Sequence, residues 1–263
     1  MIIADISFDL RVLIPGLLET ADESIAEIAR SRLKNTLDNF TDPYAGKINQ
    51  QGASLLPESL ESQANGISVD FTFGVTAWRG ALNTPVVSDV RAFGLQNLEA
   101  LEHVVDGWVD AAGVFHGKIK AFGKWLDGEI LIQPEAPIKA RSDSRVGAFG
   151  IRLATFEQQL KSSTHDAGAH SFLSDRANQN AGFFIFRNGL RIMPYGREDN
   201  DFFEIEYRRG MHAGREFWSI RRIFGRVALT IEENPNLKDK AGREGFIDNK
   251  AAKVFREIGR AHV

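Results

Sequence analysis

The dipeptide Asn188-Gly189 stands between two apolar runs, in the segment GFFIFRNGLRIMPYG at residues 182–196. Two-residue turns of β-hairpins require a positive φ at both central positions, and asparagine and glycine accept it most readily. The segment therefore predicts a hairpin with strands near residues 183–187 and 190–194. Because such a turn pairs two antiparallel neighbours, it commits this part of the chain to a β-sheet.

Further strand patterns surround this hairpin. The segment EHVVDGWVDAAGVFHGKIKAFGKW, at residues 102–125, alternates in polarity and predicts a second hairpin that turns at DAAG. Single strands are predicted at GISVDFTFGV (66–75), GAFGIRLATF (147–156), DFFEIEYRR (201–209) and GRVALTI (225–231).

Two segments carry apolar residues at helical spacing. They are TADESIAEIARSRLKNTLDNF at residues 20–40 and the C-terminal stretch at about 247–259. The polar segment 158–181 is predicted to be a helical connector. Residues 41–66 are rich in Gly, Ser, Pro and Gln and are predicted to be a long connection.

These elements predict an α+β fold with two parts. Residues 93–263 are expected to form a domain with a mixed β-sheet and helices on one face. Residues 1–92 are expected to form a smaller preceding subdomain of one helix, a loop and strands.

Composition excludes several classes of protein. None of the 263 residues is cysteine, which excludes disulfides, thiolate catalysis and cysteine-based zinc sites. No run approaches the ~18 apolar residues that a membrane span needs. The first residues, MIIADISFDLRVLIPG, lack the basic region and the cleavage site of a signal peptide. A cytoplasmic protein with no membrane contact is therefore expected.

Familiar active-site motifs are also missing from the sequence. There is no Walker A pattern, no complete dinucleotide fingerprint and no Gly-x-Ser-x-Gly elbow. His165 and His170 are the only histidines near each other, and they are predicted to lie in a surface loop rather than to bind a metal. The chain thus shows no self-contained active site.

Arginine is concentrated in residues 187–226, which contain nine arginines, no lysine and six acidic residues. Salt bridges across exposed strand faces are the simplest interpretation for most of them. The alternative is a nucleic-acid-binding module that uses an Arg-rich sheet face, with the steep salt dependence that phosphate contacts produce.

A basic loop follows the strand GRVALTI, in the segment NPNLKDKAGREGFIDNKAAKVF at residues 234–255. One interpretation is that a cation of this loop reaches a phosphate group in a neighbouring site, where it would stabilise charge on the transferred phosphoryl group. The other is an ordinary loop whose arginine pairs with Glu244 or with a helix end. The candidate residues on the first interpretation are Lys238, Lys240, Gly242, Arg243 and Gly245.

The stretch from GFFIFRNGLRIMPYG through GRVALTI to NLKDKAGREGFIDN resembles bacterial proteins of the GHKL ATPase superfamily, in which a transducer domain follows the ATPase domain. The resemblance covers roughly residues 100–260 and is strongest from residue 182 onward. The REGF portion also looks like a loop in the middle domain of the ninety-kilodalton heat-shock chaperones, and like the corresponding loop of MORC ATPases. In those families a basic residue of the loop reaches the γ-phosphate held by the ATPase domain.

The resemblance implies a transducer fold like that of a small-subunit ribosomal protein. It assigns catalytic roles to Arg243 and Lys240, and places Lys238, Gly242 and Gly245 near the cofactor. It implies ATP and Mg²⁺ in the intact protein and an upstream ATPase domain as partner, in a homodimer. The Glu-x-x-x-Asn and Asp-x-Gly-x-Gly motifs of that domain are absent here. The chain is therefore expected to be a transducer fragment that binds no cofactor alone.

Overall fold

The computed structural model describes residues 27–28, 40–46, 75–79, 81–87, 93–134, 137–138, 140–211, 218–241 and 244–262. These residues belong to two compact units. The first contains the described residues of 1–40 and 71–91, and the second contains those of 41–70 and 92–263. The predicted division at residues 92 and 93 stays a prediction.

In the first unit, strands β1 (Val75–Arg79) and β2 (Leu82–Val87) pair antiparallel. Residues 27 and 28 are helical, within the segment where the sequence predicts a helix. Most of the strand predicted at residues 66–75 lies outside the described residues.

The second unit contains one eight-stranded sheet. Its strands are β3 (His103–Val109), β4 (Phe115–Ala121), β5 (Lys124–Trp125), β6 (Ile130–Ile132), β7 (Phe149–Thr155), β8 (Gly182–Arg187), β9 (Leu190–Arg191) and β10 (Phe224–Leu229). Every neighbouring pair is antiparallel except β8 and β10, which run parallel, so the sheet is mixed as predicted. The order of the strands in the sheet is β5-β4-β3-β7-β10-β8-β9, and β6 pairs with β4.

Both predicted hairpins are confirmed. Asn188 and Gly189 have φ values of 51° and 76°, and they connect β8 to β9 as a two-residue turn. The pairing of β3 with β4 forms the other hairpin, with its turn at residues 110–114.

Four α-helices accompany the sheet in the described part of the second unit: α1 (Leu95–Glu99), α2 (Ala167–Asn180), α3 (Ile205–Met211) and α4 (Lys250–His262). The Asp166 carboxylate caps α2 by accepting from Ala169 N at 2.8 Å, and Asn249 Oδ1 accepts from Ala252 N in the first turn of α4. Both helices were predicted from the sequence, with slightly different bounds.

The prediction that helices cover only one face of the sheet is wrong. Ile151 of β7 and Ile185 of β8 share a buried cluster with Phe255 of α4. Their strand neighbours point to the opposite face, where Phe184 shares a second cluster with Leu173 of α2. The reason is visible in the central strands, since β7 and β8 are buried at every position and need cover on both faces.

The strand predicted at residues 201–209 is also wrong, because residues 205–211 form α3. The apparent alternation does not correspond to burial, since Ile205 is buried whereas Tyr207 is 64% exposed. Glu206 instead faces a neighbouring segment, where its carboxylate accepts from Ile220 N at 2.7 Å and from the Ser219 hydroxyl.

None of the helices in the described part of the chain combines the length and the apolar character that crossing a bilayer requires.

Candidate functional site

The basic loop leaves the end of β10 and folds back on itself before α4. Asp239 and Phe246 form an antiparallel bridge. Lys240 N donates to Gly245 O at 2.9 Å, and Ile247 N donates to Lys238 O at 2.8 Å. Residues 238–241 and 244–247 therefore form the two arms of a narrow loop. We call residues 238–247 the basic loop, and the end bounded by Ala241 and Glu244 its tip.

A buried arginine of the sheet holds the base of the basic loop. Arg187, at the end of β8, is 3% exposed. Its Nη1 donates to Asp239 Oδ1 at 2.6 Å, and its Nη2 donates to Leu237 O. The guanidinium also lies 5.4 Å from the centre of the Phe246 ring. The base of the loop is thus joined to the sheet by an ion pair whose arginine is buried and whose aspartate is partly exposed.

Tyr195 fixes the second arm of the basic loop. Its hydroxyl accepts from Phe246 N at 3.0 Å, and the two rings stack with centres 5.7 Å apart. Gly245 has a φ of 96°, and a Cβ at this position would lie 2.6 Å from Tyr195 Oη. Only glycine fits both the backbone conformation and the close approach of the tyrosine.

Asparagines hold the segments on either side of the basic loop. Asn234 is fully buried; its Oδ1 accepts from Gly147 N and its Nδ2 donates to Ala148 O, each at 2.9 Å. Asn236 Nδ2 donates to Ser142 O, and Asn249 Nδ2 donates to Asn236 O. Sequence reasoning missed these residues, although paired asparagines around a proline, as in NPN, are a recognisable sign of a side-chain-braced turn.

The predicted site residues divide into three groups. Lys238 and Lys240 are exposed, and neither forms an ion pair with another described residue. Gly245 is buried against Tyr195, which gives it a structural reason to be glycine; its place beside a cofactor stays a prediction. Gly242 and Arg243 lie outside the described residues, so the two interpretations of Arg243 both remain predictions.

The interpretation of the arginine-rich segment needs correction at three positions. Arg187, Arg191 and Arg226 are buried in the sheet rather than exposed on it. Arg226 pairs with Asp42, which is itself 2% exposed. The guanidiniums of Arg187 and Arg226 are therefore paired within the fold and not open to a nucleic-acid backbone. Surface salt bridges are formed elsewhere in the segment, by Arg221 with Glu198 at 2.6 Å and by Arg209 with Glu206 at 3.0 Å.

A second cluster of polar side chains lies around Glu102, just before β3. Its carboxylate accepts from two backbone amides, Glu157 N at 2.7 Å and Thr164 N. It also accepts from the hydroxyl of Ser163 and from the hydroxyl of Thr164, each at 2.8 Å. Burial alone would raise the pKa of Glu102, but these hydrogen bonds outweigh it and lower the pKa from 4.5 to about 2. All of the donors belong to the connection between β7 and α2, so the carboxylate holds that connection in place.

This arrangement predicts a stability that depends on pH. Because the folded-state pKa of Glu102 lies below the unfolded value, the carboxylate stabilises the fold above pH 4.5 and loses that contribution as the pH falls toward 2. We expect Glu102 to contribute about 2 kcal/mol to the free energy of unfolding, after a reduction for screening by solvent. Urea denaturation should give a lower free energy of unfolding at pH 3 than at pH 6 for the natural chain. The difference between the two pH values should be much smaller for Glu102→Gln. Glu232→Gln, at an exposed turn, is the control and should behave like the natural chain; a Glu102→Gln protein with an unaltered pH profile would contradict the assignment.

Of the two neighbouring histidines, His165 lies in the connection before α2, as predicted, whereas His170 lies in the helix. Both are partly buried, and His170 Nε2 lies 2.9 Å from Glu157 O, in the first turn of α2. Within the described ranges, no group of three or more His, Asp or Glu side chains is placed to hold a metal ion.

Comparison with known proteins adds no relative: no protein-family model, no curated protein and no solved structure matches the chain.

Proposed function

We propose that residues 93–263 act as the transducer region of a GHKL-type ATPase, and that the basic loop senses ATP held by an ATPase domain preceding them. The observation that supports this most directly is the construction of the loop. Its base is held by the buried Arg187–Asp239 ion pair, whereas Lys238 and Lys240 extend exposed charges near its tip. A firmly held base with free cations at the tip suits a group that must reach a phosphate outside its own fold.

In this proposal the cations at the tip act on the γ-phosphate. Arg243 contributes a forked guanidinium that can bond two phosphate oxygens, and Lys240 adds a second positive charge. Lys238 lies further from the tip and contributes a longer-range attraction. ATP and Mg²⁺ would be held by the ATPase domain of the intact protein, which would work as a homodimer.

The basic loop is also placed to transmit a displacement to α4. Phe246, in its second arm, lies 5.8 Å from Phe255 of α4 and 5.8 Å from Phe202, measured between ring centres. A displacement of the loop on ATP binding would therefore act on α4 through close-packed aromatic rings. Such coupling is a free-energy difference between two states of the loop, to which the bound nucleotide contributes.

The proposal extends to the fold. The sheet from β7 to β9, with α3 and α4 on one face, would be the transducer fold shared with a small-subunit ribosomal protein. Helices α1 and α2 on the other face would be additions to it.

The test is ATP turnover by the full-length protein that carries the implied ATPase domain. Arg243→Ala should slow turnover by about 10²-fold or more, because a cationic phosphoryl stabiliser is lost, and Lys240→Ala should have a smaller effect in the same direction. Lys161→Ala removes an exposed lysine of the connection before α2 and should leave turnover unchanged. Unchanged turnover in Arg243→Ala, or a full-length protein without the Glu-x-x-x-Asn box, would end the proposal.

A further inference from the structure

Arg191, in the edge strand β9, is a buried arginine with few hydrogen bonds. It is 6% exposed, and its guanidinium lies 4.3 Å from the centre of the Phe184 ring. Its Nη2 donates to Tyr195 O at 3.1 Å, whereas its Nε is buried with no hydrogen-bond partner among the described residues. Burying such a donor unsatisfied is costly, and native structures seldom leave one without a reason.

The other buried arginines of the sheet show what Arg191 lacks. Arg152 pairs with Asp106 at 2.6 Å, Arg187 pairs with Asp239 at 2.6 Å, and Arg226 pairs with Asp42. Arg191 forms no ion pair with any residue in the described part of the chain. Three of the four buried guanidiniums thus pair with a carboxylate among the described residues, and the fourth does not.

Arg197 is a second cation near Arg191, since it follows by two residues Tyr195, whose carbonyl oxygen accepts from Arg191. Arg197 is half-buried, and its Nη2 donates to Gln179 O, a neutral carbonyl, at 3.3 Å. Burial lowers the pKa of Arg191, and the positive charge of Arg197 lowers it further, to about 10, against a smaller opposite effect of Asp199. Two like charges held close together at the edge of the sheet favour a bound negative charge.

We propose that Arg191 and Arg197 bind an oxyanion, the phosphate or carboxylate group of a ligand or partner. A guanidinium presents its donors as a planar fork that matches two oxygens of either group, and the Phe184 ring fixes the plane of the fork. An oxygen bound there would satisfy the donors of Arg191 and neutralise the repulsion from Arg197.

Arg191 lies on the face of the sheet opposite Phe246 of the basic loop, although both residues bond to Tyr195. Phe184, on which Arg191 lies, belongs to the buried cluster of α1 and α2, whereas Phe246 of the loop belongs to the cluster of α4 on the other face. The proposed anion site therefore does not depend on the proposed transducer function.

The probes are inorganic phosphate, phenyl phosphate and acetate, each compared with chloride at matched ionic strength. At about ten times its dissociation constant, a bound anion should raise the melting temperature by about 2–4 °C. The Nε–H signal of Arg191 in an NMR titration should shift along the same binding curve. Preference for the two phosphates assigns the ligand as a phosphate group, and preference for acetate assigns it as a carboxylate.

Two variants test the residues. Arg197→Gln, at a half-buried position, should weaken binding by about tenfold or more; Arg191→Lys keeps the charge but removes the fork and should weaken it at least as much. Arg221→Gln changes an exposed arginine and should bind like the natural chain. Equal melting temperatures in phosphate, acetate and chloride would overturn the proposal. So would an unchanged affinity in Arg197→Gln, which remains measurable if Arg191→Lys fails to fold.

Discussion

Replacing Arg226 with methionine is expected to destabilise the second unit by about 3–5 kcal/mol. Arg226 is 4% exposed in β10, and its Nη1 donates to Asp42 Oδ2. Methionine fills much of the space but removes the cation that faces the buried Asp42 carboxylate. Asp42 keeps a hydrogen bond from Tyr44 N at 2.9 Å, which does not replace the charge-assisted bond from Arg226.

Hydrogen exchange at the amides of β10 measures this effect within the second unit itself. The design is a double-mutant cycle of Arg226→Met, Asp42→Asn and the double variant. The double variant should be more stable than Arg226→Met alone, because it also removes the buried negative charge that faced Arg226. Arg221→Met, whose side chain is 68% exposed, should change stability by no more than about 0.5 kcal/mol. An Arg226→Met protein within about 1 kcal/mol of the natural chain would contradict the assigned role of the pair.

The pair joins two parts of the chain that no local pattern connects. Asp42 and Arg226 are 184 residues apart, and Asp42 lies in a segment that composition alone predicts to be a long connection. Arg152 holds the same segment by donating to the carbonyl oxygens of Tyr44 and Gly46. A sequence shows an arginine and an aspartate but not the three-dimensional neighbourhood that decides whether they meet, so the buried pairs were not predicted.

Features determined locally were predictable, and the β8–β9 hairpin is the clearest case. Its turn depends on the backbone freedom of Asn188 and Gly189 alone, and the apolar runs on either side supply the strands. The α3 segment shows the limit of such patterns. Five or six residues can alternate in polarity by chance, and here the contacts of Glu206 with Ser219 and Ile220 accompany a helix.

The candidate site divides in the same way. The charges at the tip of the basic loop are visible in the sequence as lysines among glycines. The parts that hold the loop are not, because Arg187 precedes Asp239 by 52 residues and Tyr195 precedes Phe246 by 51. Only the folding of β8 beside β10 brings these residues together.

Replacing Arg187 with methionine is therefore expected to release the basic loop from the sheet. The change leaves Asp239, whose side chain is 18% exposed, without its cation, and leaves Leu237 O without that donor. We expect the free energy of unfolding to fall by about 3 kcal/mol. This value is at the low end for a broken buried ion pair, because the Asp239 side chain is partly exposed to water. The amides of Lys240 and Ile247, which bond within the loop, should exchange with solvent at least tenfold faster.

Two comparisons separate loss of the anchor from general damage. Arg187→Lys keeps the charge opposite Asp239 but cannot also donate in the fork geometry to Leu237 O, so its effect should be about half as large. The amide of His170, which bonds to Asp166 O in α2, should keep its exchange rate in both variants. Both Nη atoms of Arg187 already donate within the fold, to Asp239 and to Leu237 O. Under the proposed function, slower ATP turnover by full-length Arg187→Met would therefore arise from misplacement of the loop. Loop amides that exchange at the natural rate in Arg187→Met would show that the ion pair does not hold the loop, and would remove the structural support for its role as a sensor.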